Sequence, residues 1–220
     1  MTMIVNPLYE LIAQGEHQQQ DFKFCINDSR KIARSLVAFA NTDGGRLLIG
    51  VKDNGKIVGV KTDEEFYMVE AAANTFSQPK IDFEYQHWEA EGKIVLEISV
   101  KPSKEKPHYA QNDEKKWMPY IRRNDENILA NKVLVDAWKI QRNKKGLLFK
   151  YDEPRKKLVE YLSANETITL SKFSRIAHIS RLAAGKILAE FLSIGCIDIN
   201  LEREPVVYYL SNDFDLDKLT

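Results

Sequence analysis

AFANTDGGRLLIGVKDNGKIVG, residues 38–59, joins the end of a helix to an apolar strand and a tight turn. Each part has a local cause. Gly44 and Gly45 supply the positive φ that stops a helix without a Cβ clash. Leu47, Leu48, Ile49 and Val51 form a short continuous apolar run, which suits a strand covered on both faces. Asp53-Asn54-Gly55 tolerates left-handed backbone and predicts a hairpin turn. Ile57, Val58 and Val60 are then expected to return as a second strand of the same sheet.

Upstream, Ser29 is expected to cap the helix that ends at about Thr42, with Ile32, Leu36, Phe39 and Ala40 as its buried stripe. Glu16 to Cys25 reads as extended, after a short helix over residues 6–13 that has Asn6 as its cap and Pro7 at its first position. Downstream, Thr62-x-x-Glu65 is a capping box opening a helix to about Ser77, which Pro79 closes. Strands follow over residues 81–88 and 93–100, then a polar loop over 101–116 and a strand over 117–122. Asn124-Asp125 is expected to cap a helix running to about Arg142. Asn143-Lys144-Lys145-Gly146 is the expected boundary, dividing the chain into residues 1–145 and 146–220. Beyond it come three helices, over 153–163, 170–179 and from Ser180 to just before Gly195. Strands over 196–201 and 206–210 finish the pattern, which resembles a winged helix-turn-helix domain.

The 220 residues carry 32 basic and 32 acidic side chains, so a globally basic nucleic-acid binder is excluded while local patches are not. The charge is unevenly spread: net −5 over residues 1–100, +6 over 101–149 and −1 over 150–220. The middle segment is the basic one. Cys25 and Cys196 belong to no CxxC pair and are expected to be free thiols of a cytoplasmic protein. No apolar run is long enough for a membrane span, and no secretory signal is visible. The four histidines show no metal-ligand spacing, and no Ser-His-Asp set stands out.

Four separated elements resemble the Schlafen-type Alba-like domain. They are Glu16 with Asp21-Phe22-Lys23, the AFAN-GG-IGV-DxG-IVG stretch itself, Lys106-Pro107-His108-Tyr109, and Tyr120-Ile121-Arg122. Asp21 stands where that family usually has Glu. The resemblance spans roughly residues 8–143. It implies an α+β fold with an N-terminal mixed sheet flanked by helices, here followed by a small winged-helix domain. It also implies a DNA-binding domain of microbial regulators, once described as a divergent AAA-type ATPase.

The leading expectation is therefore a non-catalytic nucleic-acid-binding protein, a transcriptional regulator with DNA favoured over RNA. Its contacts would come from Lys101, Lys104, Lys106, Lys115, Lys116, Arg122 and Arg123. Tyr109, Trp117 and Tyr120 interleave with them as stacking candidates. Lys172, Arg175, Arg181 and Lys186 would assist from the C-terminal domain, against the opposing charge of Glu190, Glu202 and Glu204. The alternative is a metal-dependent endoribonuclease. Family likeness implicates Glu16, Asp21 and Asp53 as ligands of Mg²⁺ or Mn²⁺, with Lys23 on the substrate phosphate. A third reading, an ATP-binding regulator, lacks a G-x-x-x-x-G-K-[ST] loop. A fourth has the C-terminal module mediate a homodimer.

Overall fold

The computed structural model describes residues 6–143 and 150–212. Contacts divide the chain into two units, Met1–Ala130 and Asn131–Thr220.

In the first unit, α1 (Pro7–Ala13), β1 (Gln20–Lys23), α2 (Ser29–Asn41) and β2 (Gly45–Ile49) come first, then α3 (Glu64–Asn74) and β3 (Ser77–Gln78). They are followed by β4 (Glu84–Ala90), β5 (Lys93–Val100), β6 (Tyr109–Gln111), β7 (Trp117–Met118), β8 (Tyr120–Arg123) and β9 (Glu126–Leu129). The main sheet has the order β1-β2-β5-β4. β1 runs parallel to β2 while the other pairs are antiparallel, so the sheet is mixed and the fold is α+β.

The apolar run of β2 is continuous because both faces of the sheet are covered. Leu47 and Ile49 pack with Ile32, Leu36 and Phe39 of α2 and Val69 of α3. Leu48 faces the other way, with Phe22, Val95 and Leu8 of α1. The glycine pair is required by space as well as by φ. A Cβ on Gly45 would lie 2.5 Å from the Phe39 ring, and one on Gly44, at φ +74°, would lie 2.7 Å from the Val100 carbonyl oxygen. The helix end is therefore pressed directly onto the sheet.

Three expectations are corrected. The turn at residues 52–55 forms, with the Gly55 N–H donating to the Lys52 oxygen at 2.8 Å. No return strand follows it: Val58 and Gly59 both donate to the Gly50 oxygen, and only the isolated bridge Val51–Ile57 remains. Both edges of β2 are already taken by β1 and β5, so a returning strand has no free ladder to join. Next, the cap of α2 is Asp28, whose carboxylate accepts from the Arg30 N–H at 2.9 Å. Finally, Asn124-Asp125 does not start a helix. Asn124 takes φ +55° as the turn between β8 and β9, where Ile121 pairs with Ile128. The helix begins later, at α4 (Lys132–Arg142), capped by Asn131, which accepts from the Leu134 N–H at 2.8 Å.

The second unit holds α4, α5 (Glu153–Ala164), α6 (Leu170–Ile176), α7 (Arg181–Ser193) and an antiparallel hairpin of β10 (Ile197–Asn200) and β11 (Val207–Leu210). Val133 and Ala137 of α4 share a core with Phe173, Leu188 and Phe191. α4, expected to close the first domain, thus packs with the second. The expected linker residues Lys144, Lys145 and Gly146 lie outside the described residues. Thr169 and Ser180 cap α6 and α7, accepting from the Lys172 and Ala183 N–H groups. No helix among the described residues is long and apolar enough to cross a membrane. Cys25 is exposed and Cys196 is buried, and neither forms a disulfide among the described residues.

Candidate functional site

The four sequence elements meet in the first unit, and polar side chains join them. Asn41, the last residue of α2, is buried. Its Oδ1 accepts from the His108 N–H at 2.8 Å, and its Nδ2 donates to the carbonyls of His108 and Tyr120, each at 2.8 Å. Thr42, next in the chain, accepts from the Arg122 N–H at 2.9 Å. Arg122 then turns inward. Its side chain is 1% exposed, lies over the Phe39 ring, and reaches Asp21 Oδ1 at 3.6 Å. It donates to the Gln20 and His17 carbonyls at 3.1 and 3.3 Å and to Asn127 Oδ1 at 3.1 Å.

Asp21 is the anionic centre of this cluster. Lys23 Nζ stands 2.8 Å from its Oδ2, and Ser35 Oγ donates to that same oxygen at 3.2 Å. A side-chain hydrogen bond also joins Glu16 to Asp21. Burial pushes the Glu16 carboxyl up, helped by donating to Asp21 and by the neighbouring negative charge. Burial alone would raise Asp21 too, but the Glu16 proton, the Lys23 ammonium and the Arg122 guanidinium outweigh it and hold Asp21 below its usual value.

These opposite shifts have opposite consequences for stability. Above its usual 4.5, the folded chain holds the Glu16 proton more tightly than the unfolded chain does. Stability therefore falls as pH rises from there through the folded pKa. The contribution of Asp21 is present above its usual 3.8 and is lost only as pH falls through its lowered folded value. Glu16→Gln keeps a donor toward Asp21 but cannot ionise. Urea unfolding from pH 4.5 upward is expected to show a decline for the wild-type chain that is absent in this variant.

Several expected site residues are placed otherwise than their charge suggests. Among the described residues, no three of His, Cys, Asp and Glu are grouped so as to hold a metal ion. Glu16 and Asp21 adjoin each other, but Asp53 is exposed in its turn and does not complete a triad with them. The endoribonuclease reading needed those three carboxylates to converge. Gly44 and Gly45 lead into strand β2, not into a helix N-terminus that could cradle phosphate.

The basic segment is largely neutralised. Arg122 is interior, so it is not an outer phosphate contact. Lys101 pairs with Glu84, Lys116 with Glu114 at 2.6 Å, and Arg123 with Glu126 at 3.6 Å. Lys106 donates to the Thr42 carbonyl at 3.1 Å, and burial lowers its pKa against the pull of Asp43. Lys104 and Lys115 are exposed and form no ion pair among the described residues. Of the stacking candidates, Trp117 is exposed while Tyr109 and Tyr120 are half-buried.

The second unit shows the reverse. Lys172, Arg175, Arg181 and Lys186 are all exposed, on α6 and α7, and none has an ion-pair partner among the described residues. Lys172 lies over the Tyr161 ring at 5.7 Å. Glu190, the acid expected to oppose an anion on α7, is engaged by Arg155, whose Nε donates to it at 3.1 Å. Leu182 and Lys186 stand one turn apart, and Leu182 is 61% exposed.

A mixed sheet with helices on both faces and a polar clasp joining its motifs characterise the first unit. The chain belongs to the Schlafen, AlbA_2 family, which matches residues 16–131. Among solved structures it is similar to the DIP2311 protein from Corynebacterium diphtheriae, with 21% identity over 59% of this chain and a TM-score of 0.43. It spans 25% of that protein's length. It is also similar to the N-terminal domain of a RecG-related protein from Nitrosomonas europaea, with 19% identity, 58% of this chain and 94% of that domain covered, and a TM-score of 0.38. No curated protein is significantly similar to it.

Proposed function

We propose that the chain is a nucleic-acid-binding protein that grips duplex DNA through α6 and α7 and acts as a transcriptional regulator. Family membership supports the nucleic-acid partner. The observation that carries the choice of surface is the contrast in pairing. The cations of residues 101–123 are mostly spent on nearby carboxylates, while those of α6 and α7 stand free of ion pairs among the described residues. A phosphate attracts an unpaired lysine or arginine far more than one already neutralised.

On this reading the second unit is a winged helix-turn-helix. α7 is the recognition helix, with Arg181, Leu182 and Lys186 facing the major groove. Lys172 and Arg175 meet the backbone, and the segment between β10 and β11 is the wing. Leu182 offers an apolar contact of the kind a thymine methyl accepts.

The test compares two double variants by fluorescence anisotropy on one labelled duplex at one salt concentration. Arg181→Ala with Lys186→Ala is expected to weaken binding at least about tenfold, as removal of groove and phosphate contacts does. Lys101→Ala with Lys116→Ala is expected to change it by less than about twofold, because exposed paired charges contribute little. The opposite ranking would move the interface to the first unit.

A further inference from the structure

A cavity of about 400 Å³, within the range of small-molecule sites, lies beside the loop between β5 and β6. Ile81, Phe83 and Val100 give it apolar walls, and Ser103, Lys104 and His108 give it chemistry. Ser103 and His108 belong to the loop between β5 and β6 and are hydrogen-bonded to each other, with His108 Nε2 2.7 Å from Ser103 Oγ. The other ring nitrogen, Nδ1, stands 3.0 Å from the Pro79 carbonyl oxygen.

For a neutral imidazole these contacts set the direction of both ring bonds. A carbonyl oxygen can only accept, so His108 Nδ1 carries the hydrogen. In the neutral ring Nε2 is then the acceptor, and the bond to it must come from the Ser103 hydroxyl. Ser103 Oγ meanwhile accepts from the Glu105 N–H at 2.9 Å. Both residues are held from behind. The Ser103 N–H donates to the Ala40 carbonyl at 2.8 Å, and the peptide groups of His108 are fixed by Asn41. The imidazole is buried, whereas Ser103 is half-exposed and lines the cavity.

A hydroxyl bonded to an unprotonated imidazole, itself oriented by a third group, is the arrangement that activates a serine. We propose that Ser103 and His108 form a nucleophile–base pair that hydrolyses small carboxylic esters in this cavity. Ser103 Oγ attacks the ester carbon, and its proton passes to His108 Nε2. The carbon–oxygen bond to the alcohol breaks, and Nε2 gives that proton to the departing alkoxide. Water then attacks the acyl-serine, losing a proton to Nε2, and releases the acid and the free hydroxyl. Lys104, beside the nucleophile in the chain, brings positive charge to the cavity in which the oxyanion forms. Nothing in this step depends on the nucleic-acid reading.

The experiment incubates the full chain with 4-nitrophenyl acetate, follows nitrophenolate release, and maps acetyl groups by mass spectrometry. Acetylation of Ser103 is expected, with release that rises with pH as the imidazole becomes neutral. Ser103→Ala is expected to lose both signals while still unfolding cooperatively in urea from a folded baseline. The pH profile tests His108 without altering a buried ring. No acetyl on Ser103 of the folded chain, equal release by Ser103→Ala, or enzyme-dependent release that does not rise with pH would each overturn the proposal.

Discussion

Arg122→Met is expected to destabilise the first unit by about 3–5 kcal/mol, the usual cost of breaking a buried ion pair from one side. Methionine keeps much of the arginine's length over the Phe39 ring, so the lost quantity is charge and donors, not volume. Asp21, with a side chain 5% exposed, would keep Lys23 and Ser35 but lose the guanidinium beside its Oδ1. The carbonyls of His17 and Gln20 would lose a donor in the same step. Adding Asp21→Asn to Arg122→Met is expected to cost much less than the sum of the two single changes, because the stranded charge is then gone. Urea unfolding of the four chains measures the coupling. Additive single effects would mean that the two groups do not act as a pair.

Asn41→Ala is expected to cost about 3 kcal/mol or more, since each buried polar group left without a partner costs about 1–3 kcal/mol. Three groups are stranded at once: the His108 N–H and the carbonyls of His108 and Tyr120. No other side chain reproduces this set. Asn41→Asp still accepts from the His108 N–H but sets a carboxylate oxygen against two carbonyls, so it is expected to be worse than alanine. A chain in which aspartate is tolerated better than alanine would mean that Asn41 is not the joint between the second helix and the loop carrying His108.

These two residues also explain how much of the molecule was legible beforehand. The helix end at Gly44-Gly45, the doubly covered strand, and the start of α7 at Ser180 are local matters, readable from neighbours a few positions away. The return strand was misread because hairpin chemistry at Asp53-Asn54-Gly55 says where a chain turns, not whether a free sheet edge awaits it. Arg122 was misread for a related cause. Charge counted along residues 101–149 cannot show that one guanidinium points at a carboxylate near position 21, or that Lys101 meets Glu84. Residues within the four family-like elements also hold the fold together: Asn41 joins His108, and Asp21 joins Arg122, across long sequence separations. The pairing of Ser103 with His108 had only a weak signal, two ordinary residues five apart in a polar loop. It became visible through the Pro79 carbonyl that orients the ring.

The cations of α6 and α7, which form no ion pair among the described residues, are the surface on which the proposed function stands. Backbone amide shifts recorded while a duplex DNA is titrated into the full chain would locate the contact directly. Perturbations concentrated over residues 170–193, shrinking as salt is raised, are the predicted result. Perturbations concentrated over residues 101–123 with residues 170–193 unmoved, or none anywhere at low salt, would contradict it.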